Sequence, residues 1–503
     1  MSMDGPKHAV PGAGYALALL LGINLFNYID RQILSATLPK IRLDAGIFQP
    51  NENWVTTKLG ALTTAFMVSY MVLSPLFGWL AGKMRRWWMV GIAVIAWSLA
   101  TGGTGLAAGY LMLLFTRCFV GIGEAAYAPV APAMLSDLYP VDHRGRILSW
   151  FYAAIPVGSA LGFVIGGNIA DTSLGWRGAF QIAVIPGLLL GIFCFFMREP
   201  PRLAVKKEGP SYWAVLRELR GNRSFVFCCA GMTASTFVLG GVAALMQLYI
   251  FEREAHLALD AAAVQKLNDL KLNNGERLIP AETMDKLRQE ASPEVHSPLD
   301  LQRKLALKLS QGELENYWPF IQQESPTKDS ISNAAIGTMF GAIIVVAGLV
   351  ATLTGGWLGD RLRNRGMKGA YFHVAGWGTL AGFPFFVAIL FVPFPLAWLF
   401  VFLAVFALFF NTGPANTILA NVTRSKIRAT AFAINILIIH ALGDAISPLI
   451  LGYIKDLASF QVSFVAASFL IPVAGLLWVC GARHLDADTA RAEAASRQTS
   501  SEG

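Results

Sequence analysis

The chain has 503 residues, 55% of them hydrophobic and only 14% charged, with a formal net charge of +8. Soluble domains carry about 25% charged residues, so an ordinary soluble protein is excluded. The positive excess is scattered over short loops between apolar runs and forms no single basic stripe, which excludes a nucleic-acid-binding surface.

The apolar runs predict twelve spans, at 13–41, 57–81, 87–108, 110–134, 147–170, 179–197, 225–250, 333–358, 370–392, 396–420, 427–453 and 459–481. About 20 apolar residues cross a hydrocarbon core, and lipid offers the backbone no partner, so each run is helical. The first run reads as a retained helix. Its flank holds one lysine, Lys7, and it continues into polar residues, unlike a cleaved signal.

Loops after spans 2, 4, 6, 8 and 10 carry Lys83-Arg85-Arg86, Arg144 and Arg146, seven basic residues from Arg198 to Arg223, Arg361/Arg363/Arg365/Lys368, and Arg424/Lys426/Arg428. The loops after spans 3 and 9 carry none, and that after span 5 only Arg177. The bias predicts a multi-pass protein of the cell (inner) membrane with both termini cytoplasmic.

Residues 1–197 form a first six-helix bundle, 198–224 a cytoplasmic linker, 225–482 a second bundle, and 483–503 a cytoplasmic tail. Gly78-Trp79-Leu80-Ala81-Gly82-Lys83 ends span 2, and Gly356-Trp357-Leu358-Gly359-Asp360-Arg361 ends span 8. That repetition fits a transporter built from repeats with its site between them. Residues 252–332, between spans 7 and 8, interrupt the symmetry with 14 acidic and 10 basic residues. Leu267, Leu270 and Leu272, an Asn273-Asn274-Gly275 turn and Pro280 before Ala281 predict a helical hairpin, and Leu301, Leu305 and Leu309 another amphipathic turn. The segment reads mainly as a solvated extracytoplasmic decoration, with a lid or docking role as the alternative. Cys118, Cys194, Cys228, Cys229 and Cys480 fall in apolar surroundings without metal-ligand spacing and read as packing residues, so no metal or cofactor is expected.

Asp30 and Arg31 in span 1, with Arg117 and Glu124 in span 4, are ionisable groups inside apolar helices. A charge at mid-membrane costs at least about 2.5–3.5 kcal/mol, so each needs a partner, a watery cavity or a role. Arg117 and Glu124 share a helix face about 10 Å apart along the axis. Crossed pairing, Asp30 with Arg117 and Arg31 with Glu124, would leave no charge alone. The structural reading is an ion-pair network between two helices. The functional reading is proton-linked binding. Protonating Asp30 or Glu124 frees an arginine, and the guanidinium then takes an anionic phosphate or carboxylate. His440 and Asp444, one turn apart in span 11, read as a helix-to-helix hydrogen bond or as a second proton or headgroup contact. Asn24, Asn27, Asn411 and Asn416 are cavity candidates for which a packing hydrogen bond is equally plausible.

Gly356-x-x-x-Asp360-Arg361, Arg117-x-x-x-Gly121-x-Gly123, Pro140-x-x-x-Arg144-Gly145-Arg146 and Gly175-Trp176-Arg177 resemble the motifs of the major facilitator superfamily. Asn27-Tyr28-Ile29-Asp30-Arg31 is similar to two of its groups. One is the Spinster-like lipid transporters, whose animal members move sphingosine-1-phosphate or lysophospholipids. The other is the anion:cation symporters of sugar acids and other carboxylates. Gly443-Asp444-Ala445-Ile446-Ser447-Pro448 is more similar to the Spinster group. In span 5, Gly162-Phe163-Val164-Ile165-Gly166-Gly167 resembles an antiporter motif with phenylalanine replacing proline, so exchange does not follow from it.

The resemblance implies an all-α fold of twelve spans in two pseudo-symmetric bundles, working by alternating access. It implies that Asp30 and Glu124 couple protons. Arg31, Arg117, Asn27, His440, Asp444, Asn411 and Asn416 would line the substrate site. Asp360 and Arg361 would gate the cytoplasmic side, with Asp360 near Arg146. Gly82 stands where Asp360 stands in the second half, so the latch is expected to be asymmetric and the resting state inward-open. The expected activity is proton-coupled transport of an amphiphilic anion by a monomer, with a small-acid symporter as the rival. A non-transporting receptor using 252–332 is the rival of another class. No HExxH, GxSxG or phosphate-cradling loop points to an enzyme.

Overall fold

Among the described residues, twelve helices have the length and apolarity to cross a membrane, at the places the apolar runs predict. The computed structural model describes residues 10–49, 52–81, 83–139, 141–199, 212–271, 276–424 and 427–501. The first lobe holds α1 (Ala13–Arg42), α2 (Val55–Ala81), α3 (Arg86–Gly105), α4 (Tyr110–Leu138), α5 (Val141–Ala170) and α6 (Gly175–Cys194). A short helix, α7 (Tyr212–Gly221), leads from the linker into α8 (Arg223–Glu254). Four helices build the insert: α9 (Ala261–Asp269), α10 (Ala281–Gln289), α11 (Pro298–Ala306) and α12 (Gln311–Glu324). The second lobe is completed by α13 (Asn333–Asn364), α14 (Ala370–Phe391), α15 (Ala397–Asn421), α16 (Thr430–Leu457) and α17 (Phe460–Ala495).

Within the first lobe α1 packs along α5, α3 along α6 and α2 along α4. Within the second, α14 packs on α15 and α17, and α8 on α17. The lobes meet along two main seams, α2 against α16 and α5 against α13, with α1 also meeting α8. Glycine makes both seams possible. A Cβ on Gly60 would lie 2.2 Å from the Pro448 carbonyl oxygen, and one on Gly337 2.4 Å from that of Phe163. Backbones touch there, as small residues allow between membrane helices.

Among the described residues, the interlobe polar contacts gather at the insert end of the seams. Asp456 of α16 accepts hydrogen bonds from the amides of Thr56 and Thr57 at 3.2 and 2.6 Å. Arg42 pairs with Glu252 at 2.7 Å, and Lys455 approaches the same carboxylate at 3.7 Å. Asn333 donates to the Ala36 carbonyl at 3.0 Å, and the Ala334 amide to Asp171 at 2.7 Å. Trp54, at a φ of 62°, stacks on Tyr453 with ring centroids 5.2 Å apart. A bulky residue rarely takes that backbone conformation, so the stack is held against strain.

The insert is not a solvated decoration. Leu267, Ile279, Met284, Leu287, Leu301 and Leu305 are buried in one continuous core with Ile47 and Phe48, which follow α1. Gln302, itself buried, donates to the Leu43 carbonyl at 2.7 Å. The amphipathic leucines at 301, 305 and 309 point into this core and not into water, because the end of α1 offers them an apolar floor. The hairpin is present: Lys271 and Arg277 bridge antiparallel around the expected turn, and Asn273, Asn274 and Gly275 themselves lie outside the described residues. The sequence reading missed α12. Ser310 and Glu313 form a capping box at its start, a signal that was present in the sequence. The last helix also runs past the predicted end at residue 481, and Asp488 accepts from the Ser224 amide at the start of α8, 2.9 Å away.

Candidate functional site

The four intramembrane charges converge. Asp30 and Glu124 are 0% exposed and Arg117 2%. Arg31 reaches from α1 to α4, where its Nε and Nη2 both lie 2.7 Å from one oxygen of Glu124. Asn27 is buried beside the same carboxylate. Three rings enclose the guanidinium, those of Tyr28, Phe66 and Tyr70, with centroids 5.0, 4.9 and 5.2 Å from its carbon. An aromatic cage of this kind holds a cation while leaving its hydrogen-bonding edge for an anion.

The second expected pair does not form directly. Asp30 accepts a hydrogen bond from Thr101 at 2.6 Å, and Arg117 donates to Thr104 at 2.8 Å. The two threonines are three residues apart on α3, so one face of that helix takes up both charges. Arg117 also lies 5.4 Å from the centre of the Phe180 ring. One oxygen of Asp30, one oxygen of Glu124 and the Nε of Arg117 are buried without a protein hydrogen-bond partner. Such atoms are costly, and they mark a cluster whose bonding is not saturated in this state.

Across the cleft, His440 Nδ1 lies 2.9 and 3.0 Å from the two oxygens of Asp444. The pair sits on a π-helical turn, His440–Asp444, inside α16. Such turns are frequent at functional sites because they push side chains out of the regular register. Gly240 lets this turn press on α8, since a Cβ there would meet that of Asp444 at 2.2 Å.

Other expected residues stand apart. Asn24 donates to the Phe151 carbonyl at 2.7 Å, and Asn411 to that of Leu408 at 2.6 Å, with Ser235 and Thr379 at 3.4 Å. Asn416 is exposed and donates to the Thr412 carbonyl on its own helix. Asp360 accepts from the Tyr371 hydroxyl at 2.7 Å within its own lobe, and Arg361 lies over the Trp357 ring at 5.0 Å. Gly82 and the Arg146 side chain lie outside the described residues.

The sequence reading did not single out Thr101, Thr104, Phe66 or Tyr70. Phe66 and Tyr70 share a face of α2 at i, i+4 spacing, but nothing in the sequence tells which face meets Arg31.

Two pseudo-symmetric six-helix lobes around a buried charged cluster define a secondary transporter of the major facilitator class. The Major Facilitator Superfamily pattern itself matches residues 20–265. Human protein spinster homolog 1 is 29% identical over 507 residues, covering 95% of this chain and 82% of the relative. The cattle counterpart is 30% identical over 453 residues, covering 88% of this chain and 72% of the relative. The chain belongs to the Spinster family of that superfamily. In fold, it superposes on a crystal structure of a bacterial homologue of the human lysosomal transporter Spinster with a TM-score of 0.71 at 18% identity, covering 96% of this chain and 99% of the other. A D-xylose–proton symporter gives 0.60 at 16% identity, over 92% and 96% of the two chains. The protein is a multi-pass membrane transporter and not an enzyme.

Proposed function

We propose that the protein moves an amphiphilic anion, a lysophospholipid or sphingoid phosphate, with protons by alternating access. The observation that carries the reading is the caged Arg31–Glu124 pair buried within apolar helices. A cavity of about 140 Å³ is lined by Gln32, the residue after Arg31, and by Ser159, Phe163, Val242, Phe340 and Leu408. It is smaller than a complete ligand pocket, about 300–1,000 Å³, so it suits one end of a cargo.

Proton coupling follows from competition for the arginine. Burial favours a neutral acid and a neighbouring guanidinium favours a charged one. A proton on Glu124 therefore weakens its hold on Arg31, and the freed guanidinium takes the cargo's phosphate or carboxylate. Asp30 plays the parallel part toward Arg117 through the α3 threonines. His440 and Asp444 offer the headgroup a contact from the second lobe. In this reading the linker side, which carries the basic loops, faces the cytoplasm of a cell (inner) membrane and the insert faces outward. The polar contacts at the insert end then hold an inward-facing monomer. Relatives named as spinster homologues, one described as a lysosomal transporter, are consistent with this class of activity.

Proteoliposome flux under an imposed pH gradient tests the reading. Lysophospholipid or sphingoid-phosphate uptake that rises with the gradient is expected, and Asp30→Asn and Glu124→Gln should flatten its pH dependence. Uptake of a small organic acid without lysolipid uptake would overturn the cargo assignment. Normal gradient-driven flux in both variants would overturn the coupling. No flux of any solute would indicate a receptor.

A further inference from the structure

A second cavity, of about 620 Å³, lies under the insert at the α5–α13 seam, at the far end of α1 from the linker. Its volume falls within the range of small-molecule sites, about 300–1,000 Å³. The walls come from both lobes: Lys40, Asp44, Asp171 and Arg177 from the first, Trp318 and Phe320 of the insert from the second.

Two cations and two carboxylates cancel in this lining. Lys40 pairs with Asp171 at 2.9 Å. Asp44 is held by Arg177 and by the Trp176 indole N–H at 2.8 Å. None of the four is sealed: their side chains remain 17–36% exposed, so they stay reachable from the cavity. A simple anion entering here meets two carboxylates, and a simple cation meets two cations. A zwitterion satisfies both signs at once. The Phe320 side chain, partly exposed in the lining, supplies the ring surface that a quaternary ammonium prefers.

We propose that this cavity binds a phosphocholine-type zwitterionic headgroup, and that binding holds the lobes together on the insert side. The second half follows from geometry. Asp171 ties the floor of the cavity across the lobes through the Ala334 amide at 2.7 Å. If the lobes part on this side, as alternating access requires, the two walls separate and the site ceases to exist. A ligand that binds only one conformation shifts the population toward it, and the coupling is reciprocal. The site is thus a regulatory one, separate from the Arg31–Glu124 cluster, and it gives the insert a role as its roof.

The test uses the full chain in phosphatidylglycerol nanodiscs, which contain no choline. Equilibrium binding is measured with radiolabelled glycerophosphocholine, the headgroup alone, and with lysophosphatidylcholine, the headgroup on a chain. Arg31→Gln protein is run alongside, so that binding at the central cluster is subtracted. Saturable binding of either probe is expected, and which probe suffices identifies the source of the headgroup. Arg177→Gln, which removes one cation, should weaken it about tenfold or more. Gln323→Trp, at an exposed lining position, should fill the cavity and abolish binding while leaving the charges in place. Both variants are checked for unchanged melting. Absence of saturable binding, or parental affinity in both variants, would overturn the site. Spin labels on the insert-side ends of α2 and α16 read the second claim: bound headgroup should raise the short-distance population, and binding without that rise would overturn the coupling. Neither measurement uses flux, so the cargo assignment stands or falls separately.

Discussion

Arg31 and Asp30 are neighbours in sequence with opposite fates. Arg31 crosses to Glu124 and into an aromatic cage, while Asp30 turns to Thr101 on α3. Glu124→Gln removes the carboxylate and leaves a largely buried guanidinium behind. Breaking a buried pair costs about 3–5 kcal/mol. The cage and the 17% exposure of Arg31 place this variant at the lower end of that range. A lower melting temperature in detergent is expected, and adding Arg31→Gln should recover part of the loss, since the double variant leaves no orphaned charge. Thr101 permits a finer test. Thr101→Val keeps the shape and removes the hydroxyl that holds Asp30, whereas Thr101→Ser keeps the hydroxyl. Flux against pH should be displaced in the valine variant and parental in the serine variant. A purely structural threonine would lower expression in both and move neither profile. The intramembrane charges were legible because each is improbable in an apolar helix. The Arg31–Glu124 pairing was legible with them; the uncharged partners were not, because threonine, tyrosine and phenylalanine are ordinary there and only packing decides which of them face the charges.

The number and places of the spans were legible, though not all their ends, for the same reason: a run of apolar side chains has one way to satisfy its backbone in lipid. The insert was harder. Its four helices carry mixed charge and short apolar stripes, and the floor they bury against is made by Ile47 and Phe48, more than two hundred residues upstream. No local pattern reveals such a partner. The insert also carries its own titratable clasp. The Ser310 backbone N–H, with Lys286 and Thr283, holds the Glu313 carboxyl down to about 2 from an ordinary 4.5. A carboxyl depressed by folding contributes stability that is complete above its unfolded value and is lost as pH falls through the folded one. The capping box should therefore hold at neutral pH and weaken from about 4.5 toward 2. Hydrogen exchange over residues 298–324 should accelerate across that window, relative to the membrane helices. Glu313→Gln should flatten the response and cost about 1 kcal/mol at neutral pH.

At the scale of the whole molecule, the two ends of the cleft are built differently. At the insert end Arg42, Glu252, Lys455 and Asp456 join the lobes, the insert's Gln302 binds the chain just after α1, and Gly60 and Gly337 let the seams close to backbone contact. At the linker end the second-lobe aspartate, Asp360, is engaged by Tyr371 of its own lobe, and the first-lobe counterpart in sequence is a glycine. The lobes are therefore biased toward closure on the insert side, and weakening that end should move the balance. Two kinds of variant do so by different physics. Asp456→Asn removes the charge that the Thr56 and Thr57 amides and the Thr57 hydroxyl all meet, the last at 2.8 Å, without changing the shape of the seam. Gly337→Ala leaves the charges alone and drives a methyl group toward the Phe163 carbonyl, which only a separation of α5 from α13 can accommodate. Both should enlarge the long-distance population between spin labels on the insert-side ends of α5 and α13, and shorten the matching distance on the linker side. A seam that served only folding would give lower melting temperatures with an unchanged distance distribution. A seam that sets the resting state gives the redistribution in both variants, because a rigid-body transporter cannot open one end without closing the other.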